Sequence, residues 1–222
     1  MPEDHAHHAA RHSPLVDQHE PPRPKAVRAR HAASLVVYRI ARGEPEMLMG
    51  MRGKRHVFMP NRLVFPGGRV DAADLSAPCT TPLSPHTERA LRKQANEKLA
   101  HALGIAAARE LREETGLSLG DPARLDPLWY LARAVTPPTN PIRYNARFLV
   151  VHADHVTGEI GGDGELDGLR FFGMAEAMAL DLAVPTRRVL ERLQIWLGQS
   201  EAERMAATHW PVLKKDRGWV ME

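Results

Sequence analysis

Nine residues constrain this chain more than any others: Arg109-Glu110-Leu111-Arg112-Glu113-Glu114-Thr115-Gly116-Leu117. Wound as a helix at ~100° per residue, they bring Glu110, Glu113 and Glu114 within an arc of about 100°. The neighbouring arc carries Ala107, Ala108 and Leu111, small or apolar residues that let the helix lie close on a sheet. Three carboxylates packed so closely repel one another unless a cation intervenes. Oxygen-only ligands on a rigid helix suit Mg²⁺ or Mn²⁺, with waters and substrate phosphates completing the shell. Gly116 closes the helix as its C-cap.

Elements on either side place this helix in a mixed α/β chain. Ala32–Ile40 reads as a strand, Gly43 and Pro45 mark a turn, and Met47–Met51 returns. A basic loop follows, and then the short apolar run Leu63–Phe65, which stops at Pro66-Gly67-Gly68. Ser84 and Pro85 form an N-cap and first-turn pair. They open a helix with Leu91, Ala95 and Leu99 on one face, which Gly104 is expected to break before a second helix over Ile105–Thr115. Leu128–Val135, Ala146–His152 and Leu169–Phe172 read as strands, with a glycine-rich turn over Gly158–Gly164. Met174–Leu182 and Pro185–Leu197 read as helices, and the irregular alternation favours a sandwich over a regular βαβ wheel.

Composition excludes several alternatives. With 30 Lys and Arg against 27 Asp and Glu, the net charge of +3 is too small for a general nucleic-acid binder. One cysteine, Cys79, leaves no disulfide framework and no structural zinc site built on several thiolates, as expected of a cytoplasmic protein. No uncharged apolar run approaches the ~20 residues of a membrane helix. Residues 1–30 hold five prolines and five histidines with almost no large apolar residue, and read as a disordered tail. Its histidines (His5, His7, His8, His12 and His19) show no regular ligand spacing.

At the acidic helix the sequence resembles the Nudix hydrolases, whose box reads G-x5-E-x7-R-E-U-x-E-E-x-G-U, with U a bulky aliphatic. Arg109 through Leu117 match its second half in full. Gly68 fits the first glycine, and Asp74 stands where the family has Glu. Between Asp74 and Arg109 lie 34 residues in place of seven, 27 more than the box allows, and the insertion is placed within residues 75–103. The coenzyme A diphosphatase branch is built in a similar way, and Phe65-Pro66-Gly67-Gly68-Arg69-Val70-Asp71-Ala72-Ala73-Asp74 follows its F-P-G-G-x-x-D-x-x-D form. In that branch's upstream signature Leu48 and Arg52 match, whereas Met49, Gly50, Gly53, Val57 and Asn61 depart.

The resemblance implies a Nudix-type α/β/α sandwich with a mixed sheet over residues 31–200, followed by a C-terminal extension over 201–222. It implies a Mg²⁺- or Mn²⁺-dependent hydrolase of a diphosphate linkage in a small-molecule nucleotide, with CoA or acyl-CoA ahead of ADP-ribose, NADH or a dinucleotide. Metal would fall to Glu110, Glu113 and Glu114, with Arg109 bracing Glu113. Gly67 and Gly68 let a diphosphate approach the backbone and offer it N–H groups. The general base is sought among Glu110, Glu114 and Glu165, the last just before the final strand. Arg52, with Lys54, Arg55 and His56, is expected either to meet a polyanionic substrate or to form a solvated loop. Arg143 and Arg147 carry the same alternatives, and Trp129 or Tyr130 is expected either to stack on a base or to fill the core. The stretch Trp210–Glu222, with Trp219, is read as a plain extension or as the contact of a homodimer. A nucleotide-binding regulator is the competing class, and intact acidic residues argue for an enzyme.

Overall fold

The computed structural model describes residues 27–53, 61–214 and 218–222. The tail's histidines and Lys54, Arg55, His56 and Val57 lie outside the described residues. At the centre is β1 (Arg30–Ala41), whose apolar residues are buried on both faces. Ala33, Leu35 and Val37 face one hydrophobic cluster and Val36 the other. A two-sided strand of this kind needs layers above and below it.

β2 (Glu44–Arg52) returns antiparallel to β1, while β8 (Tyr144–His152) lies parallel on its other side. β7 (Trp129–Val135) pairs antiparallel with β8. The short β3 (Leu63–Val64) and β9 (Leu166–Gly173) both pair with β2, and β4 (Gly67–Arg69) pairs with the start of β1. At the far edge stand β10 (Pro211–Lys214), parallel to β7, and β11 (Gly218–Met221). The C-terminal extension therefore lengthens the main sheet, with Trp210 only 4% exposed beneath it. A separate two-stranded sheet joins β5 (Cys79–Thr81) to β6 (Ala123–Arg124).

Helices α1 (Pro85–Arg92) and α2 (Glu97–Thr115) cover one face of the sheet. The other face takes α3 (Met174–Ala179) and α4 (Val184–Leu197), and α5 (Glu201–Ala206) follows them in the chain. This is the expected α/β/α sandwich with a mixed sheet. No helix among the described residues is long and apolar enough to cross a membrane.

Two boundaries differ from expectation. The break between α1 and α2 falls at Lys93–Asn96, where the Asn96 side chain accepts the Leu99 N–H at 2.9 Å as an N-cap. Gly104 instead sits inside α2, where a side chain would press within 3.1–3.2 Å of Leu125 and Leu83. Close packing chose this glycine, and packing outweighs its low helix propensity. The helix after β9 also stops early, at Ala179, because Arg187 donates to the carbonyls of Met178 and Leu180 and fixes that end.

Candidate functional site

α2 is long because two independent caps hold its ends, and its alanines bring it close to the sheet. Ala102, Ala106 and Ala107 are completely buried, as are Leu103 and Leu111. Its last turn carries the acidic face toward β4. Gly116 closes the helix with φ +74°, and the turn over 158–164 docks beneath it. There Gly161 N–H bonds the Thr115 carbonyl at 2.8 Å and Asp163 N–H the Glu113 carbonyl at 3.1 Å. Helix carbonyls that lack internal partners are thereby satisfied. A Cβ on Gly162 would stand 2.2 Å from the Glu114 carbonyl oxygen, so the turn approaches the helix backbone directly.

The Gly67-Gly68 loop faces the same turn of α2. Gly67 has φ +154°, and a Cβ there would come within 2.5 Å of the Ala33 carbonyl and Ser34 Cα. A Cβ on Gly68 would instead lie 2.2 Å from Glu110 Oε1. One glycine is required by the sheet, the other by the carboxylate.

Arg109 organises the acidic groups. Its Nη1 donates to Glu110 Oε1 at 2.8 Å and to Glu113 Oε2 at 2.9 Å. Its Nε and Nη2 each reach one oxygen of Asp74 at 3.1 Å, and Nη2 also bonds the Arg69 carbonyl at 2.9 Å. Asp74 is 2% exposed and also accepts the Asp71 N–H at 2.8 Å. The planar guanidinium spans these directions at once, which an ammonium cannot do.

Glu114 is 2% exposed and accepts the Gly67 N–H at 2.8 Å. Burial pushes its carboxyl up to about 8, with Glu165 and Glu110 adding to the rise against the Gly67 bond. Burial likewise raises Glu110, with Arg109 opposing and Glu113 and Glu165 reinforcing. Glu165 stands nearby on the chain entering β9, and its Oε1 accepts from Arg52 Nη2 at 2.9 Å.

Among the described residues no three carboxylate, imidazole or thiol side chains converge as a finished metal cage. Glu110 and Glu113 turn to Arg109, and Glu114 turns to Gly67. The donor chemistry nevertheless fits a hard divalent cation. All candidate ligands are oxygen, and burial raises both Glu110 and Glu114, with Glu165 adding to each rise, in the manner that a neighbouring cation relieves.

Residues 100–193 match the family model described as the NUDIX domain. Over that stretch the chain is similar to Nudix domains. No curated protein matches it in sequence. Among solved structures it is similar to a NUDIX hydrolase from Alicyclobacillus acidocaldarius, with a TM-score of 0.61 and 23% identity over 81% of this chain and 96% of that one. It is similar also to a MutT NUDIX hydrolase from Burkholderia pseudomallei, with a TM-score of 0.50 and 20% identity over 75% and 99% of the two chains. A NUDIX domain of Shewanella oneidensis NrtR, solved with ADP ribose, gives a TM-score of 0.51 and 12% identity over 77% and 90%. These likenesses concern the fold.

In this fold the tertiary structure assembles Arg52, Gly67, Gly68, Arg109, Glu110, Glu113, Glu114 and Glu165 around the end of α2. Other residues weighed from sequence lie elsewhere. Arg147 is 1% exposed and bonds the carbonyls of Asn145 and Gln94, so it is neither a solvated loop residue nor part of the acidic site. Arg143 holds the carbonyls of Thr136 and Val27. Tyr130 is buried edge-on to Trp210, and Trp129 packs against Trp196 and His86. Asp74 proves to be Arg109's buried partner. The turn over 158–164 was legible as glycine-rich, but its docking on α2 required the helix end to be in place.

Proposed function

We propose that the chain is a metal-dependent hydrolase that cleaves the diphosphate linkage of CoA or acyl-CoA. The observation that carries this reading is the juxtaposition of the Gly67-Gly68 loop with Glu110 and Glu114. A backbone loop without side chains, set against buried carboxylates, is suited to a diphosphate bridged to the helix by cations. Glu110, Glu113 and Glu114 would hold Mg²⁺ or Mn²⁺. When bound, the ion supplies charge neutralisation at the phosphate oxygens and a lower pKa for the attacking water.

The chain's own residues then have separate tasks. Arg109 and Asp74 fix the carboxylates' positions without touching substrate. Gly68, lacking a side chain, lets the Glu110 carboxylate lie directly against the diphosphate loop. Glu165, oriented by Arg52, receives the proton from the attacking water. Cleavage adds water across the P–O–P bond, giving two phosphomonoesters. For CoA these are 3′,5′-ADP and the pantetheine phosphate. The CoA preference rests on the F-P-G-G-x-x-D-x-x-D form of Phe65–Asp74, separated from the acidic helix by a segment that folds as β5 and α1.

ADP-ribose hydrolysis is the second reading, favoured by likeness to the NrtR domain's fold. A panel of CoA, acyl-CoAs, ADP-ribose, NADH and diadenosine polyphosphates, with products identified by mass, tests both. Formation of 3′,5′-ADP from CoA is expected, and AMP from ADP-ribose alone would overturn the CoA reading. Tight nucleotide binding with no turnover of any of these would assign the chain to the regulators instead.

A further inference from the structure

Arg133 and Arg147 stand directly opposite each other on β7 and β8, at 6% and 1% exposure. Like charges in directly opposed strand positions repel, and burial makes the repulsion stronger. Arg147 has only neutral partners among the described residues: the carbonyls of Asn145 and Gln94, and the His31 ring. Arg133 bonds Asn145 at 3.2 Å and pairs with Glu222, a carboxylate that also serves Lys214. Its Nε is buried and has no hydrogen-bond partner among the described residues. Among them, only Arg133 of the two enclosed guanidiniums is paired with a carboxylate, and a buried cation without its counter-charge is costly.

Between them lies a cavity of about 10 Å³, lined by Lys93, Tyr130, Arg133, Arg147, Trp210 and Glu222 among others. That is about the space of one water-sized particle. A space of that size suits one small monatomic ion. We propose that this cavity is a halide site, holding one chloride between Arg133 and Arg147. The ion completes the charge balance and fastens α1 and the β10–β11 edge to the central sheet. The site lies behind the diphosphate loop on one rung of the sheet, since Gly68 pairs with Ala33 and Ala33 with Arg147.

Thermal unfolding of the full chain, in sodium chloride against sodium gluconate at matched sodium, tests the proposal. Chloride should raise Tm by ~3–5 °C per tenfold concentration above saturation. Bromide should substitute, and gluconate should give no such slope. Glu222→Gln should move the chloride midpoint to lower concentration, and Arg147→Met should flatten the chloride dependence. A merely structural arginine would shift Tm equally in both salts. Equal slopes in chloride and gluconate, or an unchanged chloride slope in Arg147→Met, would overturn the site. If Arg147→Met does not fold, the ³⁵Cl NMR linewidth with wild-type protein decides: broadening relieved by bromide supports the site, and no broadening refutes it.

Discussion

Replacing Glu114 with Gln separates the cost of a buried carboxylate from its use. Gln is isosteric and its Oε1 can still accept the Gly67 N–H. The native carboxyl rises from 4.5 to about 8, chiefly through burial. A folded-state pKa above the unfolded value means that the folded protein holds the proton more tightly. Stability is then complete below about 4.5 and is lost as pH climbs through about 8. At ~1.4 kcal/mol per pH unit, the loss is at most ~5 kcal/mol. In metal-free buffer at pH 8.5, Glu114→Gln should therefore be more stable than wild type by ~2–5 kcal/mol, or some 5–15 °C in Tm. At pH 5 the two should nearly coincide. Added Mg²⁺ or Mn²⁺ should reverse the ranking by stabilising wild type alone. The variant's diphosphatase turnover should fall ~100-fold or more, since even groups behind a metal ligand are worth 10–100-fold. Thermal melts with chelator and with metal at both pH values, alongside turnover, give the answer. A variant less stable than wild type at pH 8.5, yet still stabilised by metal, would refute the reasoning.

The glycine loop makes a paired prediction. Gly68→Ala places a Cβ against the mobile end of Glu110, so turnover should drop with little loss of stability, whereas Gly67→Ala meets β1 backbone and should cost ~2 kcal/mol or more in urea unfolding. Arg109→Lys keeps the charge but cannot reach Asp74, Glu110 and Glu113 together. We expect a loss of ~3 kcal/mol from the stranded Asp74, and metal affinity weakened ~10–100-fold, read by urea unfolding and metal titration. Burial, with Arg89 beside the ring, holds His86 below its usual 6.5. The unfolded chain binds that proton first, so stability falls as pH drops below 6.5. His86→Phe should show a shallower acid limb in urea midpoints between pH 7.5 and 5. An unchanged limb would assign the effect elsewhere.

Local pattern was enough for the acidic helix, because helical spacing alone places Glu110, Glu113 and Glu114 on one face. It was enough also for β1, β2, β7 and β8, whose apolar runs are long and bounded by turn residues. The α1–α2 break was not legible. Leu91, Ala95 and Leu99 keep helical period across it, and only the Asn96 cap and the packing of Gly104 on Leu125 decide where the helix restarts. Arg147 was equally opaque, since a strand arginine reads as exposed until the neighbouring strand and the α1–α2 turn close over it.

By itself, then, the sequence determined the chemistry on offer: three glutamates close together on one helical face, a glycine pair without side chains, and an arginine four residues before the second of those glutamates. Tertiary structure decided which groups meet. Gly68 comes to Glu110, Asp74 reaches across 35 residues to Arg109, and Arg52 crosses 113 residues to Glu165. The physical reason is range. Periodicity and capping act within a few residues, whereas burial, charge pairing and the approach of two backbones depend on sheet register, which brings distant segments together.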